Sequence, residues 1–415
     1  MTVRRLAAVD AQTLWMSAAV PNDQFLLYGF GGAVVDPAGA LDEIRRRACE
    51  CADLTVRVRD TGAWRYPVWE RCAVDAAQFV THPDGTWAGC LAAAARLAAD
   101  QLDPWTHPWR LHVFPTVDGV PGAGAGCVVI LQISHALADG GRSSALAARL
   151  FGRPGAVPAV PPLAARGFVR RSFAAARAHR RLVRDTDAGL VPSQAGSRPA
   201  LRSNTQPAGA LSLRTLVRRR DELPGPTTVT VGVLTAVSAA LAGHLRDLGD
   251  DPALLGAEVP MAKPVVRLAN NHYGNVGVGL YPHLPRDRRA QAIAADLLGR
   301  RRRASHPALA AEASAFAAIP APLLRWGVGQ FDPHRRSDTV VGNTVVSSVH
   351  RGAADLSFGG APVVLTAGFP SLSPMMGVTH GVHGIGDTVA VSVHAAQSAI
   401  GDVDAYLDRL DHALG

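Results

Sequence analysis

The strongest constraint on the fold is a continuous apolar run, Cys127-Val128-Val129-Ile130-Leu131-Gln132-Ile133, which opens into Ser134-His135-Ala136-Leu137-Ala138-Asp139-Gly140-Gly141. A strand with one wet face alternates apolar and polar residues, so a run without alternation reads as a strand covered on both faces. Ser143 to Leu150 then has helical character. His135 therefore stands where a buried strand turns into a helix. Strand ends in α/β sheets are where sites are usually built, and an imidazole there can serve as a base near neutral pH. An isolated histidine is more often a core imidazole bonded to backbone, so the rest of the chain has to decide between the two.

With 415 residues the chain exceeds what a single core usually supports, and two lobes are expected. A hydrophobic content of 48% with 18% charged residues fits an ordered globular protein. The formal net charge of +8 would suit an anionic partner. Lys263 is the only lysine, however, so the positive charge is almost all arginine and reads as a coding bias as much as a binding adaptation; it makes no case for nucleic acid. Cys49, Cys51, Cys72, Cys90 and Cys127 are odd in number and form no CxxC pair, which argues against a disulfide framework or a zinc site and fits a reduced, cytoplasmic setting. Met1 to Val20 carries Asp10 and Gln12 inside its apolar part and reads as no signal peptide. No window offers the eighteen or so uninterrupted apolar residues of a membrane span.

Along the chain, helical spacing over Leu6 to Val20 precedes a strand from Phe25 to Val35 and a charged helix from Leu41 to Cys51. Leu54 to Val58 alternates as a half-buried strand, Tyr66 to Trp69 is a second short one, and Trp87 to Leu102 returns to helix. Trp109 to Phe114 is a strand, joined through the glycine-rich Gly119 to Gly126 to the run before His135. Those glycines precede a strand and so form a loop or hairpin, not a phosphate cradle. A proline-rich connector, Gly152 to Pro162, leads to a basic helix over Arg166 to Arg184 with Phe168, Phe173 and Leu182 on its apolar side. It reads as a solvated helix with one packed stripe, the alternative being a lipid or nucleic-acid surface, the former as peripheral contact with a membrane or lipid droplet. Polar, proline-containing sequence from Pro192 to Pro207 reads as a mobile crossing. The lobes are thus expected over residues 1–190 and 211–415, with 191–210 between them.

The second half opens with a strand over Leu211 to Val217 and a long apolar helix over Val229 to Leu248. Glu258 to Pro260 is a short strand, and Tyr273 to Leu280 a glycine-rich one whose missing side chains let another group approach the backbone. Arg286 to Ser305 is a basic helix. Strands follow over Thr339 to Ser347, Ala361 to Ala367, Gly377 to His383 and Thr388 to His394, with Gly386-Asp387 turning the last two as a hairpin, and a helix from Val403 to Leu414 closes the chain.

Several chemistries drop out. The chain has no G-x-S-x-G elbow and no G-x-x-x-x-G-K-[ST] loop. His380 and His383 lie three residues apart on a predicted strand, hence on opposite faces, which argues against a shared metal. The H-x-x-x-D-G element remains. It resembles the H-H-x-x-x-D-G motif of the wax ester synthase/diacylglycerol acyltransferase family, part of the larger group that holds chloramphenicol acetyltransferases and condensation domains of peptide synthetases. The resemblance extends along the chain in order: Arg5-Leu6-Ala7-Ala8-Val9-Asp10-Ala11 is similar to the family's R-L-S-x-x-D-A, Leu102-Asp103 through Pro108-Trp109 to its L-D-x-x-x-P-L-W, and Gly274-Asn275 with Leu284-Pro285 to its G-N-x8-L-P.

The resemblance implies a two-lobed α/β, chloramphenicol-acetyltransferase-like fold with the site at the lobe interface. It implies His135 as the general base that takes a proton from an acceptor hydroxyl as the hydroxyl attacks the thioester of acyl-CoA. It also implies Asp139 as a structural residue, held by an arginine such as Arg57 or Arg267, and Gly140 as a position that leaves room for the reacting groups. Ser134, Gly274 and Asn275 are candidate liners of the substrate channel. Neither a metal nor a tightly bound cofactor is implied; the expected partners are acyl-CoA and a hydroxyl-bearing acceptor, giving a wax ester, triacylglycerol or related ester. The pattern departs from the family at Ser134, which replaces the first histidine, at Val231-Gly232 where Asn-Asp is usual, and at Ser347-Ser348-Val349-His350 where Ser-Asn-Val-Pro is usual. Two alternatives follow: a free-standing condensation-type enzyme that takes its acyl group from a phosphopantetheinyl carrier protein to acylate a natural-product hydroxyl or amine, and a non-catalytic lipid-binding or scaffold member of the fold.

Overall fold

The computed structural model describes residues 3–161, 166–223 and 228–415. Pro162, the last residue of the predicted connector, lies outside the described residues. In chain order the elements used below are α1 (Ala8–Met16), β1 (Gln24–Gly31), α2 (Pro37–Glu50), β2 (Phe79–Thr81), α3 (Trp87–Leu97), β3 (Trp109–Val120), β4 (Gly124–Ile133), α4 (Gly140–Leu150), α5 (Phe168–Asp187), β5 (Leu211–Arg219), α6 (Val229–Asp247), β6 (Gly256–Ala262), β7 (Tyr273–Gly279), α7 (Arg286–Ala304), α8 (Pro307–Ala317), α9 (Ala321–Gly329), β8 (Thr344–His350), β9 (Ser357–Phe358), β10 (Ala361–Gly368), β11 (Val378–Ile385), β12 (Thr388–Ala396) and α10 (Val403–Leu414).

Two sheets organise the chain. The first runs β9-β10-β1-β4-β3-β2, and the second, six-stranded, runs β5-β12-β11-β8-β6-β7. In the second sheet β6–β8 and β8–β11 pair in parallel and the outer strands pair antiparallel. β4 shows why an unbroken apolar run was needed. Cys127, Val129, Leu131 and Ile133 point into a core with Leu26, Tyr28 and Phe30 of β1, while Val128 and Ile130 point the other way. There they meet Phe25, Leu27, Cys90 and Leu91 together with Leu213, Leu365 and Ala390. That second face is the contact between the lobes, so neither side of β4 sees water. The second lobe has its own core, in which α6 and α10 pack together around Leu234, Leu241 and Tyr406.

The lobes do not follow the two halves of the chain. β9 and β10, from the second half, complete the first sheet: Ala367 of β10 pairs with Leu27 of β1. α8 and α9 also reach back, with Ala321 and Leu324 buried in the first core and Tyr66 Oη donating to Ile319 O at 2.8 Å. The division at residues 191–210 therefore marks a crossing of the chain but not a clean boundary. The crossing is also fastened: Arg198–Pro199 pairs with Thr339–Val340, and Asn204, 2% exposed, donates to Gly342 O and Met375 O. Its prolines and polar residues serve turns and buried hydrogen bonds. The basic helix α5 buries Ala175 and Leu182 but leaves Phe173 74% exposed, so its packed stripe is narrower than the spacing predicted. All five cysteines are free, and Gly386-Asp387 turns the β11–β12 hairpin with Gly386 at φ +53°.

Candidate active site

Beyond Ile133 the chain leaves the sheet in a turn held from several sides. Ser134 N donates to Pro108 O at 2.9 Å and Leu137 N to Ser134 O at 2.9 Å. Asp139 then caps α4, its Oδ1 accepting from Arg142 N at 2.9 Å. Gln24, at the start of β1, donates through Nε2 to Ala138 O, and its Oε1 accepts from Ser143 Oγ at 3.2 Å. The six residues from Ser134 to Asp139 are thus built by the end of one strand, the start of its neighbour and the first turn of a helix.

The second lobe closes over this turn with the segment between β6 and β7. Asp139 Oδ2 accepts from Arg267 Nη1 and from His272 N, each at 2.9 Å. Arg267 Nη1 also donates to Asn270 O at 2.7 Å, which curls the segment around its own guanidinium. Asn270 Nδ2 donates to Ala136 O at 3.0 Å and Asn271 Nδ2 to His135 O at 2.7 Å. Both asparagines are set by Asp10, 2% exposed, whose carboxylate accepts from Asn270 N, Asn271 N and Asn271 Nδ2 at 2.9 Å each. Burial pushes the Asp10 carboxyl up to about 6 against the pull of those bonds.

The histidine is thereby held from both lobes. Its Nε2 lies 3.2 Å from Tyr273 Oη, and the rings are 5.4 Å apart and tilted by 31°. Burial pushes the His135 pKa below the ordinary histidine value, against the contrary pull of its own backbone carbonyl, the Asn271 side chain and the Asp139 charge. Burial also pushes the Tyr273 phenol up to about 12, so it keeps its proton. A neutral imidazole with its proton on Nδ1 presents the Nε2 lone pair to that phenol. In that tautomer the phenol O–H donates to Nε2.

The structure brings His135, Asp139, Gly140 and Arg267 together and leaves Arg57 elsewhere. Arg57 lies on a separate small sheet, 49% exposed, with its Nε 3.7 Å from Glu70, and it is Arg267 that pairs with Asp139. Ser134 is 3% exposed with Oγ 3.4 Å from Ala136 N, so its side chain lies against the backbone of the turn. A Cβ on Gly140 would meet Val349 Cγ2 at 3.5 Å, an ordinary contact, so the protein itself does not demand glycine there. Gly274 follows Tyr273 on β7, beside Lys263, and Asn275 is exposed and donates to Glu258 Oε2 at 3.1 Å. His380 and His383 do face opposite ways: His380 contacts Thr344 Oγ1 and Tyr406 Oη, and His383 lies against Gly368. Among the described residues no group of three or more His, Cys, Asp or Glu is placed to hold a metal ion.

The diverged segments meet one another. Thr230 Oγ1, in the first turn of α6, donates to Ser348 Oγ on β8 at 2.9 Å, and His350 ends β8 on the surface with Nε2 3.3 Å from Gly386 O. Asn270, Asn271 and Tyr273 were missed by sequence reasoning. Their signal was the polar Asn-Asn-His-Tyr run immediately before Gly274-Asn275.

No family model matches the chain, and no curated protein matches it in sequence. Solved structures do match in fold. The wax ester synthase/diacylglycerol acyltransferase from Marinobacter aquaeolei VT8 superposes with a TM-score of 0.64 at 16% identity, over 99% of this chain and 98% of that one. The starter condensation domain of rhizomide synthetase, as a variant in a "product-released" conformation, gives 0.57 at 16% identity over 100% and 94%. A variant of the same domain in complex with C8-CoA and Leu-SNAC gives 0.57 at 14% identity over 100% and 93%. The chain therefore has the two-lobed, chloramphenicol-acetyltransferase-like fold along its full length.

Proposed function

We propose that the protein is an acyltransferase in which His135 activates an acceptor hydroxyl for attack on an acyl thioester. The observation that carries this reading is the partly buried, neutral imidazole held between the lobes with Nε2 3.2 Å from a hydroxyl oxygen, that of Tyr273. An acceptor hydroxyl at that place is within reach of the base. As its O–H proton passes to Nε2, the oxygen bonds to the thioester carbonyl carbon; the tetrahedral intermediate then breaks its C–S bond, and the imidazolium returns the proton to the departing thiolate. Such proton transfer contributes about a hundred- to ten-thousandfold. Asp139 and Arg267 position the loop, and Asp10 with Asn270 and Asn271 positions the His135 backbone; none of them exchanges a proton in these steps.

Acyl-CoA is the proposed donor, in keeping with the condensation domain crystallised with C8-CoA, and a lipid alcohol the proposed acceptor, in keeping with the wax ester synthase/diacylglycerol acyltransferase. A carrier-protein donor is the second reading, favoured by the likeness to a condensation domain and by the altered Val231-Gly232 and Ser347–His350 segments. Following thiol release from octanoyl-CoA with and without a long-chain alcohol tests the proposal. Alcohol-dependent release with an ester product supports it, and turnover solely with an acyl-carrier protein transfers the assignment to the second reading. Absence of thiol release with either donor, across alcohols and amines, contradicts both.

A further inference from the structure

Helices α6, α7 and α10 share a core with Val346, Val382 and Val391 of the second sheet, on the face turned away from Leu213, Ala390 and the first lobe. Between the three helices lies a cavity of about 560 Å³, within the size range of small-molecule sites. It is on the helical side of the second sheet, whereas His135 belongs to the first lobe on the other side. Its lining is apolar at Ala239, Ala240 and Ala413 and carries Arg286 and Arg289 of α7 with Arg409 and His412 of α10.

Charge in this lining is not balanced. Among the described residues Asp408 is its one carboxylate, against three guanidiniums. Arg409 is matched by Asp247, which accepts from its Nη2. Arg286 has no carboxylate partner among the described residues and only a long contact, Nη2 to Ala413 O at 3.4 Å. Arg289 has none either: its Nε donates to Tyr281 O at 3.3 Å, and its Nη2 to Pro282 O at 3.1 Å and Leu284 O at 2.9 Å. Those bonds fix the guanidinium and use every donor but Nη1, whose one contact is Thr235 O at 3.5 Å. Thr235 lines the cavity, so Nη1 is the nitrogen left on that side. Burial, and after it the Arg246 and Arg286 charges, hold the Arg289 pKa below the ordinary arginine value, as expected of cations crowded without an anion. Arg286, Arg409 and His412 are exposed and Arg289 is half-buried, so a solute in the cavity can reach all four. A guanidinium fork matches a phosphate bidentately, and two such forks favour an anion of more than one charge.

We propose that this cavity is a second, non-catalytic site for a small phosphate-bearing molecule, its phosphate held by Arg286 and the fixed Arg289 and its organic part resting against Ala239, Ala240 and Ala413. The site stands apart from the acyl-transfer centre and does not depend on that reading. The test is calorimetry on the full chain with inorganic pyrophosphate as the probe. Binding is expected to weaken about tenfold in Arg286→Gln, the worth of one charge-assisted hydrogen bond, and at least as much in Arg289→Gln. Arg301→Gln, at an exposed position of α7 outside the cavity, should leave it unchanged. Should Arg289→Gln fail to fold, because that side chain fastens the turn before α7, Arg286→Gln decides. Vesicles containing phosphatidic acid separate two sources of the phosphate. Sedimentation of the parent with them, lost in Arg286→Gln, assigns it to a lipid headgroup, and pyrophosphate binding without sedimentation assigns it to a soluble molecule. Undiminished pyrophosphate binding in Arg286→Gln, or an equal loss in Arg301→Gln, overturns the proposal in favour of general attraction to a basic surface. Binding of neither pyrophosphate nor vesicles overturns it outright.

Discussion

Replacing Asp139 by Asn leaves volume and shape almost unchanged but removes the charge on which both lobes converge. The carboxylate is 4% exposed and accepts three bonds, from Arg142 N, Arg267 Nη1 and His272 N. If the amide oxygen keeps the cap on Arg142 N, its Nδ2 must face the Arg267 and His272 donors, so two bonds are lost and donors oppose one another. Arg267, 18% exposed on its side chain, has Asp139 as its carboxylate partner at 2.9 Å. Breaking a buried pair on one side costs about 3–5 kcal/mol, and the remaining bonds of Arg267 to Ala269 O and Asn270 O reduce this to about 3. That is a large share of a typical stability of about 5–15 kcal/mol. Urea denaturation of Asp139→Asn, Arg267→Met and the double variant reads it directly. The double variant is expected to fall short of the sum by about 1.5 kcal/mol or more, because the second change removes a charge already unpaired. Arg57→Gln, at an exposed pair, is expected to stay within about 0.5 kcal/mol. Additive effects, or an Asp139→Asn protein as stable as the parent, would refute the reasoning.

Two further substitutions read the buried ionisable groups. Asp23 is 3% exposed, and its Oδ2 accepts from Leu102 N at 2.7 Å and Gln132 Nε2 at 2.9 Å, while burial pushes its carboxyl up to about 6. A folded-state value above the unfolded one means that this group's contribution to stability falls as pH rises through about 4 to 6. Asp23→Asn is therefore expected to be more stable than the parent by about 2–3 kcal/mol at pH 8, the equivalent of about two pH units, with the gap closing near pH 4; a gap that narrows with rising pH contradicts this. Tyr273→Phe removes the donor that favours the unprotonated form of His135, so the acid limb of the pH–rate profile is expected to move upward by about 0.7 unit, the worth of one hydrogen bond. A rate loss beyond about a hundredfold would instead make the phenol part of the chemistry.

How much was legible in the sequence depended on whether a residue's role was set locally. β4 and its turn could be read because an unbroken apolar run has few other uses, and the β11–β12 hairpin because Gly386-Asp387 is a local turn signal. The passage of β9 and β10 into the first sheet could not, since Ala361–Gly368 would pair equally well with any apolar edge and its partner, Leu26 to Phe30, lies at the far end of the chain. α8, an alanine-rich segment, has no stripe of large apolar residues, so its helical period was hidden. Arg57 and Arg267 were indistinguishable as partners of Asp139 because the choice depends on which loop crosses to the turn. Asp10 illustrates the converse: it was visible in the opening motif, but its work on Asn270 and Asn271 needed 260 residues of intervening chain to be folded. The crossing read as mobile because prolines and polar residues also serve buried turns, as Asn204 does.

The central claim is that His135 is the base. Measuring thiol release from octanoyl-CoA with a long-chain alcohol, for the parent and His135→Ala at equal folded concentration, tests it most directly. The account predicts loss of about a hundred- to ten-thousandfold in kcat with the melting temperature nearly unchanged, since the loop is held by Asp139 and by the His135 backbone carbonyl and not by the imidazole. It also predicts that the parent's rate falls on the acid side of the ordinary histidine pKa, where the lowered His135 takes up its proton. A folded His135→Ala protein that turns over at the parental rate would contradict it.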